Sequence, residues 1–498
     1  MYLLGYDVGS SSIKAALVDA HSGHVADSIK FPDNEMGIKA IHPGWAEQDP
    51  ETWWENLCQA TRKLMKRNNH IDKADIKGIG IAYQMHGLVL IDKDHHILRP
   101  SIIWCDSRAV DIGNKAFTEL GEERCLRHLM NSPGNFTASK LKWVQENEPG
   151  IYEKVYKFLL PGDFIAMKIT GEVSTTISGL SEGIFWDFKI NEVAEFLLDH
   201  FKIDRNLIPV ITPTFSVQGE LTHESAAMLG LKEGTPVTYR AGDQPNNALS
   251  LNVLHPGEVA ASGGTSGVVY GIVDRPVFDQ RSRVNGFAHV THQPANPRLG
   301  ILLCLNGAGI QYSWIKQNTG SDDLTFTEME NIASSIPVGS ENLRMIPFGN
   351  GTERIFSNRN LGAHIINLQF NIHNKAHLYR AALEGIAFSF VYGMEILKEL
   401  GLDASIIRAG NDNLFQSEIF SATVATLADS RIEVVETTGA IGAAKAAGVA
   451  AGFFSTVSEA LQNIEINRVY YPVNDRRRNQ YIEAWQMWKT DLEYILTQ

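Results

Sequence analysis

Apolar positions in this chain fall into short runs and helical stripes that follow one another in a regular order. Leu3 to Val8 is an apolar run, and Lys14 to Asp19 follows a turn of glycine and serine. Ala20-His21-Ser22-Gly23 then closes a hairpin into Val25 to Phe31, so the opening segment predicts three strands. Asp49 suits a helix N-cap, with Pro50 in the first turn and Glu51 behind it. From there Trp53, Leu57, Ala60, Thr61 and Leu64 keep helical spacing on one face, and Ile76 to Tyr83 returns as a buried strand.

The same order restarts past the midpoint, near Pro256-Gly257. Val259 to Ser262 and Val268 to Val273 flank a second glycine-rich turn, and Leu302 to Leu305 adds a strand. Leu378 to Leu400 is helical by spacing, with the small residues Ala381, Ala382 and Gly385 along one side. A strand at Ser405 to Arg408 leads into Ala409-Gly410-Asn411. A helix, the strand Ile432 to Val435, and an Ala/Gly-rich helix over Gly439 to Gly452 follow, the last expected to pack tightly on a sheet. Three strands, a helix and a fourth strand open a ribonuclease-H-like α/β unit. Its weak repetition predicts two such domains, 1–252 and 253–498, with a cleft between them and a hinge near Leu251 to Pro256.

Bulk properties narrow the function. At 498 residues the chain exceeds one core, since domains run to about 100–200 residues. A formal net charge of −13 argues against nucleic acid or an anionic membrane surface as the main partner. No apolar stretch approaches the ~20 residues of a spanning helix. The strand-like start has no basic, cleavable leader, so a cytoplasmic location is expected. Cys58, Cys105, Cys125 and Cys304 have no paired spacing, which fits reduced thiols.

The candidate chemistry gathers at the two turns. Tyr6-Asp7-Val8-Gly9-Ser10-Ser11-Ser12-Ile13-Lys14 and Ser262-Gly263-Gly264-Thr265-Ser266-Gly267-Val268-Val269-Tyr270 each combine hydroxyl residues and glycine ahead of β-prone residues. Such turns aim backbone N–H groups and hydroxyls inward, the requirement for holding phosphate oxygens, and one per half points to a nucleotide clamped between the halves. Asp243, in a Gly-Asp turn after the strand Thr238 to Ala241, is a candidate proton acceptor for phosphoryl transfer to an alcohol. Asp7 is placed to hold Mg²⁺. Tyr83-Gln84-Met85-His86-Gly87 and Ile103-Trp104-Cys105-Asp106-Ser107-Arg108 bring together the polar and aromatic groups of a polyol pocket.

These segments resemble the FGGY family of carbohydrate kinases, and within it the members that phosphorylate xylulose. The resemblance covers nearly the whole chain: the Asp7-Val8-Gly9 start, Gly44-Trp45-Ala46-Glu47-Gln48-Asp49-Pro50, Gln84-Met85-His86-Gly87, and Trp104, Asp106 and Arg108. It continues through Lys140-Leu141-Lys142-Trp143, Gly242-Asp243, Gly264-Thr265-Ser266-Gly267 and Arg380 to Gly385. It implies an actin-like two-domain ATPase fold, with ATP, Mg²⁺ and a ketose meeting in the cleft. By position, Asp243 resembles the general base, and Asp7 an acid important for the metal and phosphates. Met85, His86, Trp104, Asp106 and Gln244 resemble ketose contacts. Gly9, Ser10, Ser11 and Lys14 resemble the first phosphate turn, and Gly264 and Thr265 the second. Gly410 falls where the family has a glycine run near the adenosine. The chain departs from the pattern there, keeping one glycine in Ala409 to Leu414. It has Gln244-Pro245 after Asp243, and one extra residue in Gly349-Asn350-Gly351-Thr352-Glu353-Arg354, which resembles a Gly-Glu-Arg stretch. The implied activity is ATP-dependent phosphorylation of D-xylulose to its 5-phosphate, in an enzyme for which a homodimer is allowed. The rivals are a kinase for ribulose, another ketose or a polyol, and an actin-like ATPase with no sugar acceptor.

Overall fold

The computed structural model describes residues 1–320 and 323–498. Two mixed sheets form its frame. The first contains β1 (Tyr2–Val8), β2 (Ile13–Asp19), β3 (Val25–Phe31), β4 (Ile76–Tyr83) and β5 (Val237–Gly242), in the order β5-β4-β1-β2-β3. β2 pairs antiparallel with β1 and β3, whereas β4 runs parallel to β1 and to β5. The second contains β6 (Glu258–Gly263), β7 (Gly267–Val273), β8 (Asn285–Ala288), β9 (Leu299–Leu305), β10 (Ile406–Gly410), β11 (Arg431–Val435) and β12 (Ile466–Tyr470). Its order is β8-β9-β7-β6-β10-β11-β12. Without the edge strands β8 and β12, order and strand directions match the first sheet: β7 is antiparallel to β6 and β9, and β10 parallel to β6 and β11. The ribonuclease-H-like unit thus occurs twice, as in actin-like ATPases.

Alternation along β1 sorts its side chains between two helical layers. Leu4, Tyr6 and Val8 share a core with Trp53, Leu57 and Leu64 of α1 (Pro50–Arg67), and the Tyr6 and Thr61 hydroxyls hydrogen-bond at 2.7 Å. Asp49 Oδ1 accepts the Glu51 amide at 3.0 Å and starts that helix. After β5 the chain enters α2 (Asp243–Ser250). The second half carries α3 (Lys375–Glu399) and α4 (Gly439–Ala450).

Leu3, Gly5 and Asp7 face the opposite way, toward α4. A Cβ at Gly5 would overlap the Ala440 carbonyl oxygen, and one at Gly80 the Ala443 carbonyl, so bare backbone in β1 and β4 lets α4 lie directly on the sheet. The Ala/Gly-rich segment therefore packs tightly, as its composition predicts, but on the first sheet although it follows strands of the second. Thr238 Oγ1 donates to Ala447 O at 2.9 Å, and Asn246 Nδ2 on α2 donates to Gly439 O at 2.9 Å. Each half lends a helix to the junction.

Between β4 and β5 the chain makes an excursion over residues 84–236 that the pattern did not predict. It consists of helices and two-stranded pairs too short to show a clear period, among them Thr137–Asn147, Pro161–Thr170 and Ile177–Glu182.

Candidate active site

The parallel strands end at one edge of each sheet, where open α/β sheets bind ligands. In the first half this edge holds Asp7 near the end of β1, Met85 and His86 just past β4, and Asp243 just past β5. Asp243 opens α2 and does not sit in a free turn, so the helix and its N-terminal amides fix its direction. Burial, and next the charge of Asp7, push its carboxyl up to about 7; Gln244 hydrogen bonding and Lys14 act in the other direction. Asp7 pairs with Lys14 Nζ at 3.6 Å, and a Cβ on Gly439, the first residue of α4, would sit 2.9 Å from Asp7 Oδ2. The first glycine turn is closed by the Gly9 amide donating to Ser12 O at 3.1 Å, with Gly9, Ser10 and Ser11 half-buried.

His86 adopts a left-handed backbone (φ 61°), uncommon outside glycine and frequent at functional positions. Its Nδ1 lies 2.9 Å from Glu182 O, so Nδ1 carries the proton and Nε2 remains an acceptor. Burial, then Lys140, push its pKa down to about 3, keeping the ring neutral. Phe136 packs edge-on against it at 4.8 Å, and Phe287 of the second half lies at 5.4 Å. Trp104 is 53% exposed and its indole N–H donates to Ser10 Oγ at 3.3 Å, bridging the segment after Ile103 to the first glycine turn.

Asp106 is where the structure departs from the expectation of a sugar contact. It is fully buried, accepts the Ala46 amide at 2.5 Å, and is gripped by Arg108, whose Nη2 lies 2.7 Å from Oδ2. Arg108 stacks on Trp45 at 3.8 Å and also pairs with Glu47 at 2.7 Å. The carboxylate anchors the loop carrying Trp104 and has no free face for a ligand.

Two buried groups escaped the sequence reading as site components. Lys140 is fully buried and donates to His86 O at 2.8 Å and Ile103 O at 2.9 Å, tying the two candidate polyol segments together. Burial pushes it down to about 7. Glu182 is 1% exposed, and a Cβ on Gly242 would overlap its Oε2, so it lies against the backbone just before Asp243. Burial, then Asp243, raise its pKa well above the carboxyl range. Only its proximity in space marks Glu182; nothing in the local spacing does.

In the second half a cleft of about 1520 Å³ is lined by Gly264 and Thr265 at the second turn, Tyr312, Arg380, and Asn411 and Asp412 after β10. The turn docks on a helix start: the Gly309 amide donates to Gly264 O at 2.8 Å. Gly410 stands behind this wall, and its successors line the cleft. Arg380 is held by Glu384 at 2.8 Å. Gln244 stays half-buried beside Asp243, outside this cleft. Among the described residues no helix is long and apolar enough to cross a membrane.

Comparison with known proteins follows the same division. Residues 2–250 match the N-terminal domain of the FGGY family of carbohydrate kinases, and residues 259–451 match its C-terminal domain. The chain is 28% identical to the xylulose kinase of Bacillus subtilis over 485 residues, covering 95% of this chain and 93% of that protein. A solved xylulose kinase from Brucella ovis superposes with a TM-score of 0.89 at 24% identity, covering 99% of both chains. A gluconate kinase from Lactobacillus acidophilus superposes with a TM-score of 0.88 at 23% identity, over 99% of this chain and 98% of that one. A glycerol kinase from Plasmodium falciparum also scores 0.88, at 20% identity over 100% and 98%. The chain belongs to the FGGY family of carbohydrate kinases and is an ATP-dependent sugar kinase.

Proposed function

We propose that this kinase transfers the γ-phosphoryl group of ATP to the terminal hydroxyl of D-xylulose, giving D-xylulose 5-phosphate and ADP. The observation that carries the chemistry is Asp243, a carboxyl whose proton affinity is matched to neutral pH at the strand edge shared with Asp7 and His86. The hydroxyl oxygen attacks phosphorus as its proton passes to Asp243. The bond from phosphorus to the β–γ bridging oxygen breaks, and its electron pair leaves with ADP. His86 Nε2 accepts a sugar hydroxyl, Met85 and Trp104 supply the apolar wall, and Gln244 adds an amide beside the base. Gly9, Ser10, Ser11, Gly264 and Thr265 cradle phosphates from the two sides, and the residues after Gly410 meet the adenosine. Two carboxylates close enough for one to raise the other's pKa suit a hard divalent cation, so Asp7 with Asp243 would hold Mg²⁺, which neutralises triphosphate charge.

The acceptor is supported by the names of the curated relatives and by the Gln84-Met85-His86-Gly87 segment. An ADP-release assay over D-xylulose, ribulose, glycerol and gluconate tests it. We expect the highest kcat/KM for D-xylulose. Preference for another acceptor overturns the sugar, and ATP hydrolysis indifferent to every acceptor overturns the transfer reading.

A further inference from the structure

Arg354 is a cation without a counter-ion at the junction of the two halves. It lies in the short turn Glu353–Phe356 of the second half, and its Nη1 donates to Ser132 Oγ of the first half at 3.2 Å. Its guanidinium carbon is 5.6 Å from the centroid of Phe136, the ring that packs against His86. A Cβ at Gly134 would lie 3.1 Å from Arg354 Nη2, so the first half presents bare backbone there. Among the described residues no carboxylate pairs with this guanidinium. Even its neighbour Glu353 turns away, accepting from Asn306 Nδ2 at 3.2 Å.

Burial lowers the pKa of Arg354, ahead of the opposing influence of Cys304 and Glu353. Its charge is felt at His86, and both it and Asp243 act on the Cys304 thiol, which burial above all pushes up to about 12. A guanidinium has five donors, and one hydroxyl and one aromatic ring leave most of them unmatched. Arg354 is half-buried with no carboxylate partner among the described residues, so its free donors favour an arriving anion, and in a kinase that anion is the phosphoryl group.

We propose that Arg354 is a catalytic residue that donates its N–H fork to the non-bridging oxygens of the phosphoryl group as that group moves from ADP to the sugar. Arg354 keeps its proton throughout: the sugar oxygen bonds to phosphorus, the bridging oxygen leaves with the bonding pair, and the hydroxyl proton goes to Asp243. The role rests on the phosphoryl-transfer reading above and is independent of which sugar accepts the group.

The test compares full-length R354Q and R354K with wild type in the ADP-release assay, and by calorimetric titration with the sugar and with its phosphate in the presence of ADP. For R354Q we expect turnover to fall about 10²–10³-fold, the range for removing one preorganised transition-state donor. Sugar affinity should stay within about twofold, because the lost contact belongs to the reacting group. Wild type should bind the sugar phosphate more tightly than the sugar, and R354Q should lose that increment, which a purely structural arginine would not control. R354K keeps the charge without the fork and should recover part of the turnover; it carries the same test if R354Q fails to fold. Wild-type turnover in either variant overturns the proposal, as does a loss confined to sugar KM. A wrong acceptor would show separately, as poor xylulose turnover by wild type with the R354Q defect intact on the preferred sugar.

Discussion

Burial and the charge of Asp7 hold the Asp243 carboxyl at about 7, against an ordinary 3.8. Between those values the folded chain binds a proton that the unfolded chain has released. The stability linked to this group is therefore complete below 3.8 and declines as pH rises through about 7. With Asp243 as the proposed general base, transfer needs its ionised form, so kcat/KM should fall as pH drops below about 7. D243N should lose about 10²–10⁴ in turnover. In metal-free buffer it should melt roughly 2–4 °C above wild type at pH 8 and together with it at pH 4, a comparison that scanning fluorimetry across pH makes directly. Lys140 ties the His86 and Ile103 segments together. K140M removes the donor from two buried carbonyls, at about 1–3 kcal/mol for each. We expect a lower melting temperature and a raised sugar KM, because the His86 and Ile103 segments lose their shared tie. At this scale the positions of Asp243 and His86 just past strand ends were legible, because each follows an apolar run and has a glycine beside it. Asp106 misled because Trp-x-Asp-x-Arg reads alike whether the acid meets a sugar or its own arginine. Glu182 was silent, since its meaning comes from Gly242, sixty residues away.

Elements that depend on one periodic stripe were readable at once. β1 to β4 and α1 follow from alternation, a hairpin turn and the Asp49 cap. α3 lies close to its expected place, beginning a few residues earlier because Asn374 Oδ1 accepts the Ala376 amide at 2.9 Å. The location of α4 was not readable, because an Ala/Gly stripe announces close packing and does not name its partner. The structure identifies that partner through Gly5 and Gly80, where any side chain collides with helix backbone that cannot rotate aside. We therefore expect G80V to cost at least the ~3 kcal/mol at the upper end of overpacking, or to yield insoluble protein. G37A, at an exposed glycine with nothing within 4 Å, should unfold within ~0.5 kcal/mol of wild type in the same urea titration.

The repeated strand order makes the molecule look divisible, and the sequence repeat predicts a boundary between residues 252 and 253. Packing joins what the repeat separates. α4 is coded in the second half and covers the first sheet, where Leu3, Ala16 and Val18 share a core with Ala440 and Ala444. A second shared core joins Ala82, Tyr239 and Leu249 to Ala443, Ala446 and Ala447. A fragment of residues 1–252 would expose this whole inner face, including the bare backbone at Gly5 and Gly80, and an uncovered apolar sheet face favours association with other chains. Expressed alone, that fragment should be insoluble, or soluble only as a loose state that binds hydrophobic dye and melts without a sharp transition. Co-expressed with residues 253–498, it should be recovered as a soluble complex with sugar-dependent ADP release, because α4 returns to its groove without the covalent link. Intact chain should unfold in one transition, since α4 shares two cores with the first sheet. A cooperative melt of fragment 1–252 on its own, with slow amide exchange in β1 and β4, would show that the first sheet does not need α4.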